Sequence, residues 1–357
     1  MTTPSVRADP VRAYKLVRKK CLILALLLCA SLGLALVLAL RLGVMDIPAG
    51  RVFRIFRGKL SGNGEWLAGI PQGMIAVVWE LRLPRIILSI LAGAGLSLAG
   101  VIFQGILQNP LADPYTLGVS TGAAFGASLS ILITMKTGLV LPISSVALGF
   151  AALTLVLVLL IARYSAGLAS TNLIMAGIIV SAILSAGISF LKMLSGENVG
   201  AIVFWLMGSL SAKGWKEVLL LVTVIPPAAV LALFFAADLN ILTLGSRSAE
   251  SLGVEVKRIR LLYLFLGASV TAVCVSTCGV IGFVGLIVPH LLRMAVTSDN
   301  RLLIPLSALL GGLLLCAADT SARLLSGGEI PVGVLTTLLG GPFFIFIFLR
   351  RKQGREL

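Results

Sequence analysis

The stretch LRLPRIILSILAGAGLSLAGVIFQGILQNPLADPYTLGVSTGAAFG, residues 81–126, decides the fold. Residues 86–107 carry no charge, and about 20 apolar residues of helix are enough to cross a hydrocarbon core. Pro110 and Pro114 then exclude one continuous helix through the polar segment 108–114. A second apolar run starts at Tyr115. The stretch therefore predicts a membrane span, a sharp polar turn and a second span.

Three glycines in the second run are spaced four residues apart, at Gly118, Gly122 and Gly126. Residues with this spacing lie on one face of a helix, and small residues there let two helix backbones approach closely in lipid. We therefore expect a tight helix contact along this face. Two ordinary hydrophobic helices joined by a loop remain the alternative.

The composition is that of a polytopic membrane protein, since 58% of the residues are hydrophobic and 12% are charged. A soluble domain usually has about 25% charged residues. The formal net charge is +15, but the basic residues lie in tails and loops and do not interleave with aromatic residues. This pattern indicates membrane topology and attraction to lipid, not nucleic-acid binding. The 5 cysteines include no CxxC pair, which favours buried apolar positions over a metal site.

Apolar blocks and charges together predict ten spans. Basic tails at 1–20 and 351–357 are both assigned to the cytoplasm, so the number of crossings must be even. Residues 261–288 form one long apolar run of about 42 Å as helix, which is too long for one span. That run is therefore expected to contribute two of the spans within a transmembrane domain at 21–350. The other predicted spans are 21–44, 86–107, a span starting at Tyr115, 139–161, 172–190, 217–236, 302–317 and 332–349.

This topology places several arginines on the outer side of the membrane, against the usual charge bias. Among them are Arg82 and Arg85, which flank the first span of the opening stretch, and Arg323, which precedes the last span. Either the topology is wrong or these arginines have a role there.

The longest polar segment in the apolar half is DLNILTLGSRSAESLGVEVKRIR, residues 238–260. Its leucines alternate with polar residues, and Gly245 and Gly253 punctuate it. Two short amphipathic helices with a turn between them fit this pattern. Such helices lie on a membrane surface or dock into a partner protein, and the sequence leaves both open.

The residues of most enzyme and carrier chemistries are missing. No Walker A spacing occurs. The LSGGE segment at 325–329 resembles the signature loop of a class of ATPases, but it sits in a short connection between two spans, which argues against that function. A single histidine, His290, cannot form a metal cluster. Asp319 is the one acidic residue close to a span interior, which argues against an ion-coupled carrier. No nucleophile has a base at a recognisable spacing, which argues against a membrane enzyme. We expect no catalytic residue and no metal site.

Several motifs occur together in a fixed order: RLPR, GxxLxxxGxxxQxxxxNPLADPxxLGxxxGAxxG, LNxLxLGxxxAxxLGV, GxIGFVGLIVPHLLR and EIPVGVLTTLLGGPFFIFIFLRR. In this combination the chain resembles the membrane permease of type II ABC importers, the iron-chelate and cobalamin uptake family. The resemblance covers about residues 21–352. It implies an all-α, cobalamin-permease-like fold with ten helices, in the cell (inner) membrane of a bacterium or archaeon.

The resemblance also implies the partners and the activity. Such permeases pair as homo- or heterodimers and bind two cytoplasmic ATPase subunits, which hold the ATP and magnesium, so this chain would bind no cofactor itself. An extracytoplasmic substrate-binding protein delivers the cargo, and the chelate crosses by alternating access. A ferric siderophore or haem is the expected cargo. The alternatives are cobalamin or another metal complex, and an ion-coupled secondary carrier.

Site residues follow from the same resemblance. The family places its ATPase-coupling helices in the segment that corresponds here to Leu239, Asn240, Leu242, Leu244, Gly245, Ala249, Leu252, Gly253 and Val254. In the family, arginines at the RLPR motif and before the last span dock glutamates of the binding protein, which implies Arg82, Arg85 and Arg323 here. One position departs from the family, because Ser246 stands where a glutamate is common.

Overall fold

The structure is a computed structural model that describes residues 10–43, 47–166, 168–325 and 330–352. In this part of the chain the regular structure is helical, and ten helices form the bundle. They are α1 Pro10–Arg41, α4 Leu83–Ile106, α5 Val119–Thr137, α6 Ile143–Ala166, α7 Ser170–Ser195, α9 Trp215–Phe234, α12 Val256–Cys278, α13 Val284–Ala295, α14 Asn300–Leu325 and α15 Val332–Lys352. Eight of these are long and apolar enough to cross a membrane, and α13 and α15 supply two shorter apolar helices.

Five short helices lie between the long ones. They are α2 Ala49–Ser61, α3 Gln72–Ala76, α8 Val199–Leu206, α10 Ala236–Leu242 and α11 Ser246–Ser251. A π-helical turn, Val77–Arg82, joins α3 to α4, so one helical stretch runs through Gln72–Ile106. Pro84 lies directly after the π-helical turn, and such a local π adjustment lets a membrane helix continue through a proline, which donates no backbone hydrogen bond.

The ten-helix prediction is confirmed, but some predicted boundaries are wrong. The first helix already begins at Pro10, so residues 10–20 of the predicted tail are helical, as suits lysine and arginine with their high helix propensity. Their assignment to the cytoplasm stays a prediction. The remaining tail residues 1–9 and 353–357 lie outside the described residues. The third predicted span begins at Val119, not at Tyr115. Asp113 forms a turn before it, accepting the Tyr115 amide at 2.8 Å.

Helix α4 is the central element, and 19 of its 24 residues are buried. Glycines on its surface bring two other helices to backbone distance and make room for a side chain of a third. A Cβ at Gly93 would overlap the Gly311 carbonyl of α14, and one at Gly100 would overlap the Gly285 carbonyl of α13. A Cβ at Gly105 would lie 2.8 Å from the Leu239 side chain of α10. Such close approach needs glycine and gives the dense packing expected of helices in lipid.

The two ends of the bundle are distinct. At one end, the arginine end, Arg82 donates to the last carbonyls of α1, Leu40 at 2.7 Å and Arg41 at 3.0 Å, and Arg323 near the end of α14 donates to Ala39. At the other end, the coupling end, α10 meets the start of α14 through Asn240. The outer arginines and the predicted coupling segment therefore lie at opposite ends, as the predicted topology requires.

The long run 261–288 is divided as predicted, by a non-helical segment at residues 279–283. Gly279 and Phe283 both have left-handed backbone, with φ of 72° and 69°. The buried backbone of this segment has partners outside it. The amide of Ile281 donates to the Tyr115 hydroxyl at 3.1 Å, and that hydroxyl donates to the Ile281 carbonyl. Non-helical backbone is stable at membrane depth only when it is satisfied within the protein in this way.

Candidate functional site

The coupling segment consists of α10 and α11, with Gly245 in the turn between them. Its leucines point in two directions. Leu239 and Leu242 are fully buried against the bundle, whereas Leu244 and Leu252 keep 68% and 61% of their surface exposed. Ala249 and Val254 form a separate small core with Val256, packed against Ile241 and Ile259. The predicted coupling residues therefore divide into an anchoring set and an exposed apolar pair.

The segment is fastened to the bundle by a polar network. The Asn240 amide donates to the Asp299 carboxylate at 2.6 Å, and its carbonyl oxygen accepts from both the backbone and side-chain amides of Asn300 at 2.8 Å. Gln108, in the polar turn after α4, donates to the Leu242 carbonyl at 2.7 Å. Asn300 is fully buried. These hydrogen bonds fix α10 to the start of α14.

Sequence reasoning named Asn240 but missed Asp299 and Asn300. A local signal for Asp299 was present in the sequence, because this residue caps the start of α14. Its side chain accepts the Arg301 amide at 3.0 Å, and its backbone carbonyl accepts the amides of Leu302 and Leu303. This is the pattern of an acidic residue placed at the start of a helix.

Both glycines of the segment have backbone that disfavours other residues. Gly245 has φ 111° and Gly253 has φ 84°, and no atom lies within 4 Å of a Cβ built at either position. A larger residue would therefore fit the space but strain the backbone. The prediction that these glycines are turn or cap residues is confirmed.

Ser246, which stands where the family commonly has a glutamate, makes a polar contact in this chain. The Arg260 guanidinium donates to the Ser246 hydroxyl at 2.9 Å and to the Leu168 carbonyl at 2.7 Å. The start of α11 is thereby joined to α12 and to the connection between α6 and α7. Both partners of this arginine are neutral.

At the arginine end, Asp319 holds two of the predicted docking arginines. Arg85 forms a bidentate pair with it, from Nε at 3.0 and 3.1 Å and from Nη2 at 2.9 Å. Arg323 lies one turn further along α14 and approaches the same carboxylate at 3.4 Å. Asp319 is 1% exposed, and the side chains of Arg85 and Arg323 are 16% and 13% exposed. This cluster ties α4 to α14 and carries one excess positive charge.

All three predicted docking arginines are largely buried in this chain on its own, since only 7% of Arg82 is exposed. The reason is that a nearby carboxylate and the carbonyls at the end of α1 are available to satisfy them. Docking of a binding protein at this end stays a prediction. Reversing Arg85 to glutamate would place a second carboxylate beside Asp319, so that substitution would test folding as well as docking.

The three glycines of the second run face α6 and α7, although Gly118 caps α5 and is not part of it. A Cβ at Gly118 would lie 2.7 Å from the Ser181 hydroxyl of α7. One at Gly122 would lie 2.8 Å from the Phe150 carbonyl of α6, and one at Gly126 would lie 2.8 Å from the Val146 carbonyl. All three positions therefore lie at interhelical contacts and not toward lipid.

An apolar cavity of 580 Å³ lies between α13, α14 and α15. Phe283, Phe343 and Leu339 line it together with Leu314 and Ile287, and its only polar side chains are hydroxyls. Such a cavity accepts apolar surface and offers no charge to an ionic group.

Among the described residues, no three His, Cys, Asp or Glu side chains lie close enough together to hold a metal ion. His290 is buried in the middle of α13, with its ring centroid 6.3 Å from that of Phe344. The cysteines are all unpaired, and Cys29 is the exposed one.

Comparison with known proteins agrees with this architecture. Residues 25–350, nearly the whole chain, match the model of the FecCD transport family. The ABC transporter permease protein YvrB of Bacillus subtilis is 38% identical over 90% of this chain and 92% of its own length. The cobalamin import permease BtuC of Halobacterium salinarum is 40% identical, over 81% and 77%. The hemin transport permease HmuU of Yersinia pestis is 38% identical, over 84% and 90%.

A solved structure described as an inward-facing metal-chelate type ABC transporter has the same fold. It superposes with a TM-score of 0.79 at 33% identity and covers 91% of this chain and 98% of its own. The chain is thus a multi-pass permease subunit and not an enzyme, because ATP hydrolysis in such transporters is performed by separate subunits. On the match of its sequence and its fold, it belongs to the FecCD transport family of ABC importer permeases.

Proposed function

We propose that this chain carries a ferric chelate, a siderophore complex or haem, inward across the cell membrane of a bacterium or archaeon. In this proposal two copies, or this chain and a second permease subunit, form the translocation path. Two ATPase subunits bind at the coupling end, and an extracytoplasmic binding protein delivers the cargo at the arginine end. The chain itself binds no cofactor, since ATP and magnesium belong to the ATPase subunits.

One observation carries the coupling part of this proposal: Leu244 and Leu252 are exposed on a segment that is otherwise anchored by buried residues and by Asn240. A short rigid element that presents apolar side chains to water is the kind of surface that a groove in a partner covers. The anchoring network would carry a displacement of that partner into α14.

The cargo part rests on the relatives. The hemin permease HmuU supports an iron chelate, and the cobalamin permease BtuC supports a second candidate of the same chemical class, a corrinoid complex. Their identities to this chain, 38% and 40%, do not separate the two. The cargo must therefore be measured.

A reconstitution experiment tests both parts. The chain is placed in liposomes with its ATPase and with the binding protein that copurifies with it. Uptake of radioactive iron as siderophore complex or haem is then compared with uptake of labelled cobalamin, each with and without ATP inside. We expect ATP-dependent iron uptake, and exclusive uptake of cobalamin would overturn the iron assignment.

The coupling surface is tested in the same system. Leu244→Asp with Leu252→Asp should prevent the ATPase from assembling with the permease, because charges would enter an apolar contact. Leu60→Asp provides a matched control, since Leu60 is 76% exposed on α2 at the arginine end. Normal ATPase assembly in the double variant would contradict the proposed role of this pair.

A further inference from the structure

A groove of 730 Å³ opens at the coupling end of the bundle between α6, α11 and α12. Its lining changes along its length. Toward the middle of α6 and α12 the wall is apolar, with Val156, Leu160 and Phe265 about half exposed, at 48%, 45% and 50%. At the inner end the wall carries the cations Arg163, Lys257 and Arg260 with one carboxylate, Glu250.

Arg260 is a buried cation that forms no ion pair among the described residues, although the Glu250 carboxylate, which also lines the groove, interacts with it electrostatically. It is 8% exposed, its hydrogen bonds go to the Leu168 carbonyl and the Ser246 hydroxyl, and the ion pairs of the chain do not include it. Its Nε has no hydrogen-bond partner. Burying a charge is costly unless an opposite charge compensates it. Two exposed cations beside it raise the local excess, so the inner end of the groove attracts an anion.

The depth of the groove agrees with the headgroup region of a bilayer. Tyr164 follows Arg163 on α6 and is 88% exposed, and exposed tyrosines are enriched where a membrane meets water. An occupant must therefore combine an anionic end at this level with an apolar part that runs toward the membrane centre.

We propose that this groove, the lipid groove, binds one anionic phospholipid of the inner leaflet. Its phosphate lies near Arg163, Lys257 and Arg260, and its acyl chains lie against Val156, Leu160 and Phe265. The apolar wall on two membrane-spanning helices favours a lipid over a soluble acidic protein. Because Arg260 also holds Ser246 at the start of α11, the bound lipid compensates a charge that supports the coupling segment.

Lipid titration of the purified full chain in detergent tests this site. Phosphatidylglycerol and phosphatidylcholine with identical acyl chains are added, and retained lipid is counted by native mass spectrometry. The variant carries Arg163→Gln and Lys257→Gln, both at exposed positions, and the single substitutions are measured as well. Arg258→Gln is the matched control, because Arg258 lies one residue further along α12, pairs with Glu255 and does not line the groove.

We expect wild-type protein to retain phosphatidylglycerol in preference to phosphatidylcholine. Each removed cation should weaken phosphatidylglycerol binding about fivefold, and both together about 25-fold, while Arg258→Gln changes it less than twofold. Inorganic phosphate should not displace the lipid, because it cannot use the apolar wall.

Four results would overturn the proposal. The first is equal binding of the two lipids by wild-type protein, and the second is binding of phosphatidylglycerol by the double variant as tightly as by wild type. Displacement of the lipid by inorganic phosphate would indicate a free-phosphate site. A loss of ATPase assembly in the double variant, with lipid binding unchanged, would assign the groove to the ATPase instead.

Discussion

Replacing Asp319 with asparagine should destabilise the protein by removing the one negative charge of the arginine cluster. The substitution keeps the size of the side chain. It leaves Arg85, which now makes three hydrogen bonds to the carboxylate, and Arg323 without an anion. Both arginines are more than four-fifths buried, so water can compensate them only in part.

The magnitude follows from this burial. Breaking a buried ion pair by removing one partner costs about 3–5 kcal/mol, and the partial exposure of both arginines points to the lower end, about 3 kcal/mol. The entropy of unfolding is about 2.1 cal/mol/K per residue, which gives about 0.75 kcal/mol/K for a chain of 357 residues. The melting temperature should therefore fall by about 4 °C.

Thermal unfolding of the purified chain in detergent measures this change. Glu197→Gln is the control, because it removes an exposed carboxylate at the same end of the bundle and should cost less than about 0.5 kcal/mol. Arg85→Gln completes a double-mutant cycle with Asp319→Asn. The double variant should be less destabilised than the sum of the single variants, since each single change leaves the other group unpaired. Additivity within about 0.3–0.5 kcal/mol would refute the pairing.

Three further substitutions test other parts of the structure. Gly122→Leu should lower the free energy of unfolding by about 1–3 kcal/mol, because a Cβ there already meets the Phe150 carbonyl at 2.8 Å. Thermal unfolding measures this change. Gly149→Leu is the control, because a Cβ at Gly149 meets nothing within 4 Å. Gly253→Val should uncouple ATP hydrolysis from uptake in the reconstituted complex, because its φ of 84° strains a branched residue, whereas Gly253→Asn should be tolerated. Asp113→Asn should stabilise the protein more at pH 7.5 than at pH 4.5, since burial raises the pKa of this carboxyl from 3.8 to about 6.

The sign of the last effect follows from the raised pKa. The native state binds the proton of Asp113 more tightly than the unfolded state, so the stabilisation by this group is complete below about pH 4 and is lost as the pH rises through about 6. Asparagine has no such dependence and still accepts the Tyr115 amide. A melting-temperature difference between the two proteins that stays constant from pH 4.5 to 7.5 would contradict this. Wild-type stability of Gly122→Leu, or coupled transport by Gly253→Val, would contradict the other two.

Much of the fold could be predicted because each prediction rested on a local pattern. The length of the run 261–288 required a division, and the structure divides it at 279–283. The alternation of leucines in 238–260 predicted two short helices, and Gly245 and Gly253 have the backbone that turn residues need.

The remaining features depend on residues that are distant in sequence. Arg85 and Asp319 are 234 positions apart, so no local pattern indicates that they pair or that the docking arginines are largely buried. Alternating leucines likewise do not show which face of the coupling segment packs against the bundle. That choice depends on Gly105 of α4, which makes room for Leu239.

The close packing of α13 and α14 against α4 restricts how these helices can move relative to one another. The backbone of α4 lies against the Gly311 carbonyl of α14 at Gly93 and against the Gly285 carbonyl of α13 at Gly100, so sliding along either neighbour would bring a carbonyl against the opposing backbone. We therefore expect these three helices to keep their mutual packing and to move as one block. We expect the larger displacements during transport in helices whose contacts are made by side chains, because side chains repack at lower cost than closely packed backbones.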